Sequence, residues 1–390
     1  MSLTPGLVPH LAALAAHWTG AALLALACAG AVYGLGSVLA LRRFLSRPAA
    51  TLQSPTAVTI LRPMHGGEPG LQHNLLSLCD QDYPGPVRIV AGVRDDADPA
   101  AEVVREAQRQ RPAADLVLVV DPAQHGTNRK LSNLINMSGQ ATGEVVVISD
   151  SDVRLPQDGL RRIVAALQAP GAGLVHCLYR GLPAAGFWSE MASLDIDARF
   201  AASVAVGETL GAHPCLGPTM ALTADTLARI GGLKILADQL ADDYVLGAAV
   251  RAQGLAIAAP PMVIDHVFPE RSLREMVVHE LRWARTIRLV QPAGYAGSVI
   301  THFLPLAVLG AALTGFNATA DLILAVLLAV RLGQASAQCR LMGSHKARLW
   351  LIPLRDVLSL SVFALAFLGD RVEWRGARLK VARDGAMAAS

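Results

Sequence analysis

Apolar and polar positions alternate differently in three parts of this chain, and each part predicts a different kind of element. From Trp18 to Leu41 the apolar residues are almost continuous. The run exceeds ~20 residues, enough for one helix to cross a bilayer core of ~30 Å. Two further apolar runs, 297–315 and 316–332, meet at Gly315-Phe316-Asn317 and predict a helical hairpin. A last run, Leu349 to Leu368, contains Pro353, Arg355 and Asp356. Charges at mid-bilayer are costly, so this run reads as a re-entrant or interfacial element and not a fourth crossing.

The stretch between these runs is hydrophilic and periodic. Ala57 to Leu61 is a short apolar run closed by Arg62-Pro63 and predicts a strand, and Gly70 to Gln81 carries helical spacing at Leu71, Leu75, Leu76 and Cys79. The alternation continues with a strand at Val87–Val93, a helix at Pro99–Gln110, a strand at Leu116–Val120, a helix at Arg129–Gln140 and a buried strand at Glu144–Ile148. Such alternation predicts an α/β domain with a mostly parallel sheet covered on both faces. Past Asp152 the pattern is mixed: helices at 157–168, 185–206 and 238–253, and strands near 173–179 and 218–222. The chain therefore divides into an anchor (1–47), a hydrophilic α/β domain (48–292), a membrane hairpin (293–333) and a re-entrant or interfacial segment with a basic tail (334–390).

Composition agrees with a membrane-associated protein that also has one full-sized core. The 390 residues are 53% hydrophobic, with mean hydropathy +0.40 and a net charge of only +3. The position of the charge says more than its size. Arg42, Arg43 and Arg47 follow the first run and no cation precedes it, which places the N-terminus outside and the domain in the cytoplasm. Arg285 and Arg288 precede the hairpin, and Arg331, Arg340, Lys346 and Arg348 follow it, so both its ends read as cytoplasmic. No basic-aromatic patch suggests nucleic acid. Cys28, Cys79, Cys177, Cys215 and Cys339 show no CxxC pairing, which points to a reducing compartment without structural zinc.

Carboxylates recur where strands and helices end. Asp95 and Asp96 close the strand 87–93, Asp150-Ser151-Asp152 closes the strand 144–148, and Asp242-Asp243 opens or interrupts a helix. In an open α/β sheet such strand ends converge on one crevice. Asp150 and Asp152 have the spacing to chelate a hard divalent cation, Mg or Mn, that also bridges a diphosphate. Asp95 could accept from a nucleobase N–H or a ribose hydroxyl, whereas Asp98, followed by Pro99, reads as a helix N-cap. Either Asp242 or Asp243 could serve as a general base. His279, Arg282, Trp283 and Thr286 share one helix face, presenting a ring that can stack beside a cation that can grip phosphate. The sum is an enzyme handling a nucleotide-sugar diphosphate beside a membrane.

These motifs together resemble the GT-A glycosyltransferases, similar to ceramide glucosyltransferases and more closely to the bacterial hopanoid-biosynthesis-associated glycosyltransferases. The carriers are Ile60-Leu61-Arg62-Pro63, Gln81-Asp82-Tyr83-Pro84, Asp98-Pro99-Ala100, Asn128 to Leu134, Asp150-Ser151-Asp152, Gly173 to His176, Gly231-Gly232-Leu233, Asp242-Asp243-Tyr244, His279 to Trp283 and the terminal Trp374-Arg375-Gly376. The resemblance implies a Rossmann-like GT-A fold, with Asp95 on the nucleotide, Asp150 and Asp152 on the metal, and Asp243 as catalytic base. Arg282 and Trp283 would sit at the diphosphate and acceptor, with Glu68, Lys130, Asn133 and Asp242 near the donor. His279 stands where that family usually carries Gln or Arg. The implied reaction moves a sugar, with inversion, from UDP-N-acetylglucosamine to a hopanoid polyol in the bacterial inner membrane. A ceramide acceptor with UDP-glucose is the alternative. A processive polysaccharide synthase would need more crossings than three, and a scaffold or transporter would not need three acidic sites.

Overall fold

A computed structural model describes residues 7–389 except 346, 375–376 and 383–384. Lys346, Arg375 and Gly376, used above as a basic flank and a motif, lie outside the described residues. The chain enters as one long helix, α1 (Leu7–Leu45), and then winds the first half of the domain. That half contains β1 (Val58–Pro63), α2 (Leu71–Cys79), β2 (Val87–Val93), α3 (Pro99–Gln110), β3 (Asp115–Val120), α4 (Arg129–Met137) and β4 (Val145–Ser149). Strands β1 and β4 are buried along their whole length, as their unbroken apolar runs require. Local chemistry sets the helix starts. Asp98 accepts from the Ala100 N–H with Pro99 at the first helical position, and Asn128 accepts from the Leu131 N–H.

The second half supplies β5 (Val153–Arg154), α5 (Gly159–Leu167), β6 (Ala172–His176), β7 (Leu178–Pro183), α6 (Phe187–Asp195), α7 (Ala201–Thr209), β8 (Thr219–Thr223), α8 (Ala224–Arg229), α9 (Asp242–Ala252), β9 (Ala256–Ala258) and β10 (Val263–Phe268). The central sheet runs β3-β2-β1-β4-β8-β6-β9, parallel from β3 to β4, with β8 antiparallel to both neighbours. A small sheet, β5-β10-β7, stands beside it. The sheet grows from β1 in both directions, so β1 and β4 flank the switch point where α/β sheets open a ligand crevice.

Helix α10 (Leu273–Val290), started by Ser272 accepting from the Glu275 N–H, leads into α11 (Pro292–Gly297) and the membrane helices. These are α12 (Phe303–Leu313) and α13 (Ala318–Leu341), followed by α14 (Ile352–Leu365). Among the described residues three helices are long and apolar enough to cross a membrane: His10–Leu45, Pro292–Leu313 and Ala318–Leu341. The hairpin breaks at the expected place. Gly315 and Phe316 take φ of 81° and 49°, and Asn317 caps α13 by accepting from the Ala320 N–H. Gly20 and Gly310 let α1 and α12 touch backbone to backbone: a Cβ on Gly20 would lie 2.8 Å from the Gly310 carbonyl oxygen. The domain core runs on into Leu41, Phe44, Cys339 and Ile352, so the membrane helices and the domain share one packed interior. A last sheet, β11 (Arg371–Trp374), β12 (Ala377–Val381) and β13 (Met387–Ala389), closes the chain.

Candidate active site

The site begins with a buried arginine inside an apolar strand. Arg62 of β1 has no exposed surface, and its guanidinium donates to Ser149 Oγ (3.2 Å), the Ser151 carbonyl (2.7 Å) and the Val153 carbonyl (2.8 Å). Asn74 Nδ2 also donates to the Ser151 carbonyl, at 3.1 Å. The turn Asp150-Ser151-Asp152 is thus fixed from behind, with its two carboxylates near one cation. Burial pulls Arg62 down to about 10, and Asp152, Asp150 and Glu68 oppose that fall. Glu68, in the loop after β1, accepts from Ser151 Oγ at 2.5 Å.

Lys130, on the first turn of α4, bridges the two acidic loops. Its Nζ lies 2.8 Å from Asp150 Oδ1 and 3.1 Å from Asp242 Oδ2. Burial works against its charge, but the two carboxylates outweigh it and hold the ammonium above its ordinary range. Asp150 is raised, by burial first and then by Asp152 and Asp242. Asp152 moves the other way. His266 Nε2 sits 3.1 Å from its Oδ2, and that contact, with Arg62, overcomes burial and drops the carboxyl far below the usual range. Burial lowers His266, yet Asp152 wins and raises it. The neighbouring carboxylate Asp243 is pushed up to about 6, first by burial and then by Asp242, against the Tyr244 N–H that donates to it at 2.7 Å. Gly217 leaves it room: a Cβ there would lie 3.2 Å from Asp243 Oδ2.

Helix α10 forms the far wall. His279 Nδ1 is 2.6 Å from Glu270 Oε1, and its ring lies against Trp283, centroids 4.3 Å apart. Arg282 Cζ is 6.0 Å from the Trp283 ring centre. Trp283 in turn stacks on His266 at 6.4 Å, so the ring cluster joins α10 to Asp152.

Lys130, Asp150 and Asp242 thus share direct contacts. Glu68 joins through Ser151, and Asp152, His279, Arg282 and Trp283 through His266 and the rings. Two expected donor residues lie outside this network. Asp95 is exposed at the end of β2, where its carboxylate accepts from the Ala97 N–H. Asn133 is buried and donates to the Gly92 carbonyl at 2.7 Å, bracing α4 against β2. Arg62, His266 and Glu270 were not singled out by sequence as site residues. A charged residue inside an apolar strand, as Arg62 is, was the available signal.

The donor set fits a hard cation. Asp152 Oδ1 is buried with no hydrogen-bond partner among the described residues, beside Asp150. Among those residues no cluster of three or more His, Cys, Asp or Glu is placed to hold a metal. Two carboxylates suit Mg or Mn, which take their remaining ligands from water and substrate phosphates, and do not suit zinc.

This α/β domain thus carries carboxylates at its sheet's switch point and is joined to helices long and apolar enough to cross a membrane. The glycosyl transferase family 21 profile matches residues 22–387, and the chain belongs to that family. It is 31% identical to a ceramide glucosyltransferase of Gibberella zeae over 37% of this chain and 32% of that one. It is 24% identical to ceramide glucosyltransferase 1 of Caenorhabditis elegans over 52% and 43%. An N-acetylglucosaminyltransferase of Rhizobium meliloti is 31% identical over 33% and 30%. The aligned parts span less than half the length of these relatives. Among solved structures, the mannosyltransferase PcManGT of Pyrobaculum calidifontis, in complex with GDP-Man and Mn2+, superposes with a TM-score of 0.52 at 22% identity. It covers 88% of this chain and 99% of its own, and confirms the GT-A fold.

Proposed function

We propose that this glycosyltransferase sits in the bacterial inner membrane with its domain in the cytoplasm and transfers a sugar, with inversion, from a UDP-sugar to a membrane-lipid hydroxyl. The observation that carries the proposal is Asp243. It is a half-buried carboxylate, pushed up to about 6, next to the Lys130-linked carboxylates and at the start of a helix. A carboxylate of that basicity is still ionised near neutral pH and accepts a proton more readily than an ordinary one. Asp243 takes the acceptor hydroxyl's proton as its oxygen attacks the anomeric carbon and the nucleotide leaves. Arg282 stabilises the charge that develops on the leaving diphosphate, and Trp283 walls the sugar and acceptor. A divalent cation, Mg or Mn, held by Asp150 and Asp152, would supply charge neutralisation at the diphosphate. Asp95, Glu68, Lys130 and Asn133 order the donor side, directly or through the loops they brace.

A lipid acceptor is supported by the way α10 leads into the apolar helices, with only Gln291 between α10 and α11. A headgroup lying in the inner leaflet can rise along α10 to Asp243. Among lipids we favour a hopanoid polyol such as bacteriohopanetetrol, on the resemblance of Gln124 to Lys130, Leu236 to Ala241 and His279 to Trp283 to the hopanoid-associated branch, with UDP-N-acetylglucosamine as donor. The Rhizobium meliloti relative supports that sugar. The two ceramide glucosyltransferases support the second reading, UDP-glucose to ceramide. Deleting the gene and profiling lipids separates them. The expected result is loss of glycosylated hopanoid with accumulation of the free polyol. Unchanged hopanoids with loss of a glycosylceramide would replace the acceptor and leave the chemistry standing.

A further inference from the structure

Among the described residues the small sheet β5-β10-β7 pairs with no strand of the central sheet, and its contacts converge on one carboxylate. Strand β10 runs antiparallel to β5, with His266 opposite Val153, the residue after Asp152. The Val267 N–H donates to the Asp152 carbonyl at 2.8 Å, so β10 holds this residue by its backbone. His266 holds it by its side chain, with Nε2 3.1 Å from Asp152 Oδ2. An ionised carboxylate only accepts, so the proton of this contact lies on Nε2. The imidazole cannot swing away. It is buried and boxed by Tyr179 (5.1 Å between ring centres), Phe268 (4.9 Å) and Trp283 (6.4 Å).

The result is an asymmetric carboxylate. Oδ2 is capped by His266, while Oδ1 is buried with no hydrogen-bond partner among the described residues. Leaving a buried carboxylate oxygen unpaired is costly unless something with positive charge reaches it. We propose that His266 is a positioning residue that fixes the Asp152 carboxylate so that Oδ1 is its coordinating atom, and that its contact with Trp283 ties the cation site to α10. The proposal rests on reading Asp150 and Asp152 as the cation's carboxylates. It assigns the small sheet a task in the site: to aim one imidazole. It also accounts for a histidine in a strand whose other inward positions are apolar.

Full-length protein in detergent, with Mn2+ and UDP as probes, tests this without turnover. Mn2+ binding is read by the loss of the free-ion resonance signal, and UDP binding by calorimetry at fixed Mn2+. His266→Phe keeps a ring in the box and removes the donor, and it should weaken Mn2+ binding ~10–100-fold, as loss of an outer-shell ligand partner typically does. His266→Gln, whose amide can donate from nearly the same place, should stay close to wild type. In an Asp152→Asn background, His266→Phe should change Mn2+ binding no further. Melting curves in chelator check folding. His266→Asn, which stays polar but falls short of Asp152, should show the same loss should the Phe variant not fold. Wild-type Mn2+ affinity in His266→Phe, or equal losses for Gln and Phe, would overturn the positioning role alone. Absence of Mn2+ binding in the wild type would overturn the cation assignment and this inference together.

Discussion

Asp242 and Asp243 are adjacent on the first turn of α9, yet their surroundings give them different work. Asp242 is neutralised by Lys130 at 3.1 Å, whereas Asp243, desolvated and crowded by Asp242, is pushed up to about 6. These surroundings support the proposal that the second carboxylate is the base. Asp243→Asn should lower kcat by at least ~10²-fold while UDP binding survives. Should Asp242→Asn be the crippling change in the same assay, the assignment moves one residue. Wild-type kcat should fall on the acid side of about pH 6, where Asp243 takes up its proton. Stability has the opposite trend. A carboxyl raised in the folded state binds its proton more tightly there, so its favourable contribution is complete below about 4 and is lost as pH rises through about 6. Asn removes that loss. The variant should melt above wild type at about pH 8, with the gap closing towards about pH 4. An unchanged melting difference across that range would mean that Asp243 is not strained by burial. The cation site is tested separately: excess chelator, or Asp152→Asn, should abolish transfer, and full activity in chelator would remove the metal from the scheme.

At the scale of elements, the run 349–368 shows how charge is accommodated beside a membrane. In α14, Leu354 and Val357 face outward while Arg355 and Asp356 are almost wholly buried. Asp356 accepts two hydrogen bonds, both 2.7 Å, from Arg331 of α13, and Arg355 reaches Glu280 of α10 at 2.8 Å. Removing one partner of a buried pair strands the other. Asp356→Ala should cost about 3–5 kcal/mol, whereas replacing both Arg331 and Asp356 with apolar residues of similar volume should be near neutral. Thermal unfolding of the three proteins in detergent measures this, and a single variant as stable as wild type would show the pair to be idle. The same scale shows what the sequence pattern could reveal. Strands β1 to β4 and helices α2 to α5 were legible to within two or three residues, because buried strands alternate there with one-faced helices. Past Asp152 the pattern misleads. The run 173–179 is two strands in different sheets, separated at Cys177, and periodicity carries no sign of where a chain leaves one sheet for another. The helix expected at 185–206 contains a π turn at Ile196–Phe200, which leaves the apolar spacing almost unchanged. Strand β5 and the strands of the terminal sheet went unread because two to five residues are too short to show a period, and β10 because Asp265 and His266 interrupt its apolar run. His266, in β10, was lost with them. The carboxylates were legible because acidic groups recurring at the ends of apolar elements mark a shared crevice. The Arg62 and His266 contacts that aim Asp150 and Asp152 were not, because they cross between distant segments.

The proposed orientation in the membrane rests on the whole molecule. On the proposal that α1 crosses once and α12 with α13 goes out and back, the domain and everything after α13 lie on one side with the N-terminus on the other. Helix α14 has 14 residues and rises ~21 Å, short of a ~30 Å hydrocarbon core. Its charged face is also buried against the domain. The end of the chain is tied to that same side by hydrogen bonds. The Leu240 N–H donates to the Gly385 carbonyl, the Met387 N–H to the Asp238 carbonyl, and Arg285 and Arg288 donate to the carbonyls of Arg371 and Gly369. Segment 238–240, just before α9, therefore pairs with the stretch that leads into β13. Arg42, Arg43 and Arg47 following α1 support the proposal that this side is the cytoplasm. A reporter fused after Ser390 should give a cytoplasmic signal, and one fused before α1 a periplasmic signal. A C-terminal reporter active outside would require α14 to cross, breaking the Arg355–Glu280 and Arg331–Asp356 pairs and pulling the last strand away from segment 238–240.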